Sequence, residues 1–207
     1  MGIPVLILGA SGTGKSASMR NFKKGELGII NVASKPLPFR TDLPTFNTYD
    51  YDKIKAALMD NKLKTYVIDD SQYLLAFANF QRAYEKGYDK FTQFAVDFKQ
   101  LLDTIIQGTS NDTVVYLMHH TEVNEFGQVK AKTIGKMLDQ QLTVEGMFSV
   151  VLLAQTDGEH YTFITNGQPP AKTPIGMFPD KEIDNDLKMV DKTIREYWGL
   201  SKGGNSK

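Results

Sequence analysis

Cysteine is absent from the 207-residue chain, histidine occurs three times, arginine four times, and the formal net charge is zero. Without cysteine there is no disulfide framework and no thiolate metal site, which is compatible with a reducing compartment. With only His119, His120 and His160, a histidine-built zinc site is disfavoured. Lysine plus arginine balances aspartate plus glutamate at 24 each, so no global field draws the chain to nucleic acid or to a membrane surface. Any nucleic-acid contact then has to come from a local patch. No stretch approaches the ~18 consecutive apolar residues of a membrane span, and the N-terminus reads as a core strand instead of a signal peptide. These absences lead to the expectation of a soluble, cytoplasmic protein.

What is present begins at residue 3. The apolar run 3–8 reads as a buried strand that empties into Gly9-Ala10-Ser11-Gly12-Thr13-Gly14-Lys15-Ser16. This fits the phosphate-loop pattern G-x-x-x-x-G-K-[ST], followed by Ala17 in a segment expected to be helical over about 15–23. Four fixed positions arise by chance in roughly 1–2% of chains of this length and near-average composition. The strand before the loop and the helical segment after it supply the context that the motif requires. Residues 9–17 are therefore the expected nucleotide-binding loop. Glycines let the backbone wrap around phosphate oxygens so that successive N–H groups point inward. Lys15 would reach the β- and γ-phosphates, and the Ser16 hydroxyl would be a Mg²⁺ ligand.

Along the chain, residues 29–33 read as a second strand and 35–45, with three prolines, as an irregular loop. A short amphipathic helix is expected over 51–61, and a buried strand over 65–70 ending in Asp69 and Asp70. Two helices over 72–86 and 90–107 would be broken at Gly87. A strand at 113–120 ends in the two histidines, and 121–133 reads as a polar hairpin. Strands at 148–154 and 161–165 meet at an Asp157-Gly158 turn. A last helix over 185–198 would be capped by Asp184 or Asn185 and closed by Gly199. The expected architecture is one α/β domain over 1–199, a mostly parallel sheet flanked by helices with an antiparallel C-terminal extension, and a polar tail over 200–207.

A phosphate loop needs an acid at the end of a neighbouring buried strand to support Mg²⁺ through water. Asp69 is expected in that role. Asp70 is a general-base candidate for an attacking water, against the alternative that it caps the helix beginning near Gln72. His119 or His120, at the end of the next strand, is a candidate sensor of the γ-phosphate; the spacing does not choose between them.

Taken in order, Gly-Ala-Ser-Gly-Thr-Gly-Lys-Ser, Val-Ile-Asp-Asp-Ser-Gln-Tyr-Leu, Tyr-Leu-Met-His-His-Thr-Glu, Lys-Ala-Lys-Thr-Ile-Gly-Lys-Met-Leu-Asp and Pro-Ala-Lys-Thr-Pro-Ile-Gly-Met-Phe carry a resemblance. Over about residues 3–198 the chain resembles phage and prophage nucleotide-binding proteins with a minimal RecA-like P-loop core. That family is associated with ATP-dependent single-strand annealing and recombination. The resemblance implies ATP and Mg²⁺ as cofactors, single-stranded DNA as partner, and the cytoplasm of a phage-infected or lysogenic bacterium as location. It also implies a homo-oligomer with ATP at subunit boundaries, with a host single-strand-binding protein as a further partner. It places Gly9, Gly12, Gly14, Lys15 and Ser16 on the Walker A loop and Asp69 and Asp70 on Walker B. One departure stands out: RecA proteins carry a catalytic glutamate after the second strand, where this chain has Asn31-Val-Ala-Ser-Lys. Either Asp70 takes over as base or hydrolysis is slow.

Lys130, Lys132 and Lys136 concentrate positive charge after the histidines, and strand alternation would put Lys130 and Lys132 on one face for phosphate contact. Family geometry makes Lys172 the first candidate for a cation acting across a subunit boundary, with Arg195 the competitor. Two other classes share the loop. A nucleotide kinase would need several arginines closing over phosphates, and only Arg20, Arg40, Arg82 and Arg195 exist. A nucleotide-gated switch or helicase-loading partner with little hydrolysis is the stronger alternative. A GTPase is disfavoured by the absence of an Asn-Lys-x-Asp sequence.

Overall fold

Strand β1, Ile3–Gly9, alternates its side chains between two hydrophobic cores: Leu6 and Leu8 enter one, Val5 and Ile7 the other. Burial on both faces is what a near-continuous apolar run means in a parallel sheet covered on two sides. The computed structural model describes residues 1–135, 138 and 142–200, so the expected polar tail lies outside the described residues from 201 onward. Within them the chain forms β1, β2 (Gly28–Asn31), β3 (Thr45–Asn47), α1 (Tyr51–Met59), β4 (Thr65–Asp69), α2 (Gln72–Gln81) and α3 (Asp89–Asp103). It continues with β5 (Val114–Val123), β6 (Val129–Ala131), β7 (Val150–Thr156), β8 (Tyr161–Ile164), β9 (Glu182–Asp184) and α4 (Leu187–Tyr197).

The nine strands form a mixed, mostly parallel sheet in the order β3-β2-β4-β5-β1-β7-β8-β9, with β6 folded back on the end of β5. Pairings from β3 through β7 are parallel, and β7-β8, β8-β9 and β5-β6 are antiparallel. Helices α1, α2 and α3 cover one face through residues such as Ile54, Leu74, Phe94, Phe98 and Leu101. Helix α4 covers the other with Leu187, Val190 and Ile194, beside Met19 and Phe163. Among the described residues, no helix is long and apolar enough to cross a membrane.

Several boundaries differ from the sequence expectation. The segment after the loop is a six-residue 3₁₀ turn, Ser16–Asn21, instead of a helix over 15–23. The Ser18 hydroxyl donates to the Lys15 carbonyl at 2.6 Å, a local bond of the kind that competes with α-helical pairing. Strands β3 and β9, three residues each, are additions to the expected set. Helix α2 stops at Gln81, and α3 passes into a wider π-type turn over Thr104–Gly108. The cap of α4 is Asp186, whose carboxylate accepts from the Lys188 and Met189 amides. Asp184 is instead paired in β9, and Asn185 is buried beside Tyr161.

The chain-order consequence matters most. Strand β5 lies between β1 and β4, with Gly9 level with His120 and Leu117 level with Ile68. The carboxyl ends of β1, β5 and β4 therefore converge, at the edge where open α/β sheets bind ligands.

Candidate functional site

The turn after β1 cannot be built with ordinary side chains. Gly12 and Gly14 adopt φ of +83° and +82°, in the left-handed region. A Cβ on Gly14 would stand 2.8 Å from the Tyr161 ring, and one on Gly9 would stand 2.5 Å from the Thr13 hydroxyl. Thr13 in turn donates to the Ala10 carbonyl at 2.9 Å, which holds the loop curled. The result is a cavity of about 360 Å³ whose lining includes Ser11, Gly12, Gly14, Lys15, Ser16 and Ala17. Gly9, Ala10 and Thr13, the other members of the expected loop, are not among the residues that line it. Because the turn after the loop is only six residues of 3₁₀ helix, no long helix dipole points into this cavity from it.

Lys15 is buried, and its ammonium donates to the Gly9 and Ala10 carbonyls at 2.7 Å each. Burial pulls its pKa from 10.5 down to about 8, against the opposing pull of Asp70 and Asp69. A cation kept in so poorly hydrated a place is poised for an anion that can follow it there.

Across the cavity floor, the Ser16 hydroxyl donates to Asp69 Oδ1 at 2.9 Å, joining residues 53 apart in sequence. Burial raises the Asp69 carboxyl above the ordinary range, with the Ser16 bond working against it. One hydroxyl beside one buried carboxylate suits a small hard cation. Among the described residues no cluster of three or more His, Cys, Asp or Glu is placed to hold a metal. A cation here would take few protein ligands and complete its shell with phosphate oxygens and water, as Mg²⁺ does.

Asp70 comes next, with φ of +58°, which turns its side chain off the strand alternation and into the same cavity. Its two carboxylate oxygens are both engaged: His120 Nε2 lies 3.2 Å from Oδ1, and the Lys35 ammonium 2.5 Å from Oδ2. Burial alone would raise this carboxyl, but the bonds from His120 and Lys35 hold it below the usual carboxylate range. The alternative role, capping α2 through its side chain, is not what the carboxylate does.

The two histidines separate cleanly. His120 lines the cavity, edge-on to Tyr73 at 5.9 Å. His119, one residue earlier, points to the opposite face and is fully buried against Phe98. Its Nδ1 is 3.0 Å from the Ser71 hydroxyl and its Nε2 2.8 Å from the Lys132 carbonyl. Burial lowers its pKa to about 4, so the ring is neutral; Nε2–H donates to the Lys132 carbonyl, and Nδ1 shares the single Ser71 hydroxyl proton with the Met118 carbonyl. Of the two sensor candidates only His120 reaches the site, and His119 pins β5 to the chain beyond the hairpin.

The outlying candidates fare differently. Lys130 lies 3.3 Å from Glu122 on β5. Lys132 is exposed and lies one residue past the end of β6, where its amide still donates to the His120 carbonyl at 2.8 Å. Lys136 lies outside the described residues. Lys172 is exposed and forms an antiparallel bridge with Val151, level with Leu6 and short of the loop edge. Arg195 sits at the opposite, amino-terminal edge of the sheet and uses all three of its guanidinium nitrogens there. It donates to Asp191 at 2.6 Å, to the Asp112 and Lys64 carbonyls at 2.8 and 2.7 Å, and to the Thr65 hydroxyl at 2.8 Å. It clamps the starts of β4 and β5 within its own chain.

Sequence reasoning missed Lys35 and Tyr161 at the cavity, and Tyr73 beside its His120 and Lys35. Lys35 had a signal, since it lies just past the strand that pairs directly with the acidic one; the other two had none. It also missed a run of solvent-exposed rings at the end of α2 and beyond it: Phe80, Tyr84 and Tyr88 are 74%, 100% and 85% exposed. They alternate with Arg82 and Lys86. No protein-family model matches the chain, and no curated protein is similar enough to it to match.

Proposed function

We propose that the chain binds ATP with Mg²⁺ and hydrolyses its terminal phosphate, acting as a RecA-like phage recombination protein that holds single-stranded DNA for annealing. The observation that carries the nucleotide reading is the 2.9 Å bond between Ser16 and Asp69. A glycine-rich loop alone binds many anions. A loop whose terminal hydroxyl meets a buried carboxylate from another strand has the two ligands that a phosphate-bridging Mg²⁺ uses. Bound there, Mg²⁺ neutralises charge on the β- and γ-phosphates.

The chain's own groups then divide the work. The loop amides and Lys15 hold the phosphates, with the ammonium exchanging its two carbonyl partners for phosphate oxygens. Asp70 and His120, at the carboxyl ends of β4 and β5, would orient a water attacking the terminal phosphate. Both oxygens of Asp70 are already engaged, and this favours a second reading in which the protein is chiefly an ATP-gated switch with slow turnover. A nucleotide kinase is disfavoured further. Arg195 is committed within the fold, Arg82 is paired with Glu85, and Arg20 donates to the Asn185 carbonyl, so few arginines remain to close over phosphates.

The DNA half of the proposal rests on the family resemblance, with local support from the surface. Exposed Phe80, Tyr84 and Tyr88 interleaved with Arg82 and Lys86 offer π-faces for bases and cations for phosphates. The resemblance further proposes a homo-oligomer with ATP at subunit boundaries. The deciding experiment is fluorescence anisotropy with a labelled single-stranded oligonucleotide and a non-hydrolysable ATP analogue, ADP or no nucleotide, at two salt concentrations. Tight, salt-sensitive binding confined to the analogue state is expected. Absence of binding in every state refutes the annealing role. ATP turnover that is unchanged by Lys15→Ala refutes the site.

A further inference from the structure

Charge in the cavity is not evenly held. Among the described residues lining it, the permanent cations are Lys15 and Lys35, and they differ in freedom. Lys15 is buried under the loop. The Lys35 side chain is 58% exposed, while its partner Asp70 is 8% exposed. Of that ion pair, Lys35 is the member that is able to move.

Its backbone, in contrast, is fixed. The Asn31 side-chain amide donates to the Lys35 carbonyl at 2.7 Å, Ser34 takes the left-handed turn at φ of +54°, and Pro36 stiffens the chain on the C-terminal side. The ammonium also lies 5.6 Å from the centre of the Tyr73 ring, a second favourable surface next to Asp70. A long, flexible arm on a fixed base, with its tip in the cavity, is suited to track the largest negative charge available. In the present arrangement that charge is Asp70. A nucleoside triphosphate brings a larger one.

We propose that Lys35 is a phosphate-sensing residue in cis: its ammonium leaves the Asp70 carboxylate for the terminal phosphate of a bound nucleoside triphosphate. The inference rests on the triphosphate site proposed for this cavity and adds to it the residue that tells triphosphate from diphosphate. It also supplies, from within one chain, the charge-stabilising cation that neither Arg195 nor Lys172 is placed to give at this site. A diphosphate leaves Lys35 on Asp70, so both carboxylate oxygens stay occupied. A triphosphate draws it away and frees one of them.

The test measures equilibrium binding of a fluorescent non-hydrolysable triphosphate and of the matching diphosphate, both with Mg²⁺, to the full-length protein. Lys35→Met is expected to weaken triphosphate binding about ten- to a hundredfold, as for loss of one charge-assisted phosphate contact. Diphosphate binding should change less than about twofold. Asp70→Asn is expected to strengthen triphosphate binding, because Lys35 no longer has to leave a carboxylate. The part of that gain that exceeds the diphosphate's should vanish in the double variant. Equal effects on the two nucleotides, or none on either, overturn the role of Lys35 while leaving the nucleotide site standing. Wild-type protein that binds neither nucleotide refutes the site itself, and the sensing role with it.

Discussion

Lys15 should make the ligand-free fold less stable at neutral pH than at alkaline pH, and its surroundings set the size of that effect. The ammonium is buried against two carbonyls, and its pKa falls from 10.5 to about 8. The unfolded chain therefore holds this proton more tightly than the folded one. Below about pH 8 the group is charged in both states and the full penalty is present. Between about pH 8 and 10.5 the folded state sheds the proton first, so stability rises with pH; above 10.5 the penalty is gone. At about 1.4 kcal/mol per pH unit the difference amounts to about 3 kcal/mol. Urea denaturation of wild type and Lys15→Met at a series of pH values from about 7 to 11 isolates it, since other titrations cancel in the difference. Wild type should gain about 3 kcal/mol relative to the variant across that range. Saturating non-hydrolysable ATP with Mg²⁺ should flatten the wild-type profile, because a phosphate partner restores the reason to stay protonated. A difference that does not change with pH refutes the claim that burial dominates at Lys15.

Three further expectations bear on other residues. Arg195→Met leaves the Asp191 carboxylate buried beside the Tyr116 hydroxyl, and should cost about 3 kcal/mol of stability by chemical denaturation while leaving ATP turnover per folded molecule unchanged. A collapse of turnover with stability intact would return Arg195 to the catalytic candidates. His119, held neutral with a pKa lowered from 6.5 to about 4, should destabilise the fold progressively as pH falls from about 6.5 towards 4, by up to about 3 kcal/mol. His119→Asn should show a flatter acid limb, and an unchanged one refutes the assignment. Tyr84→Ala with Tyr88→Ala should leave the melting temperature unaltered and weaken single-stranded DNA binding by about 1–3 kcal/mol for each base that loses its stack; unaltered affinity removes that surface from the DNA reading.

The parts legible in the sequence are those whose cause is local. The loop is written in four fixed positions because each glycine meets a demand within a few residues of itself, at the positive φ of Gly12 and Gly14 or at the contact of Gly9 with Thr13. The parallel strands β1, β4 and β5 are legible because burial on both faces leaves few polar residues inside them. What is not legible depends on strand order. The spacing leaves both histidines open, since a strand-end register decides which one faces the site, and that register comes from pairing Gly9 with His120. Lys35 looks, in the sequence, like the place where an expected acid is missing. It becomes a site residue only because β2 pairs with β4, which sets Asn31 level with Asp69. The edge of the sheet on which Arg195 lies is hidden in the same way: a helix near the C-terminus says nothing about which edge it crosses.

Strand order also explains why the cavity holds groups that disagree with their surroundings. Burial pushes Lys15 down and Asp69 up, so each is moved toward its neutral form, and neither is the other's direct hydrogen-bond partner. A fold selected for stability alone would pair them or replace them with apolar side chains, since unpaired burial of charge is costly. Both instead line one cavity, a cation and a carboxylate that do not bond each other. On the proposed nucleotide reading, a phosphate chain carrying a divalent metal would satisfy both at once, which neither a lone anion nor a lone metal would. The same separation that withholds stability from the fold is thus what would select a metal-bound polyphosphate over simpler ions.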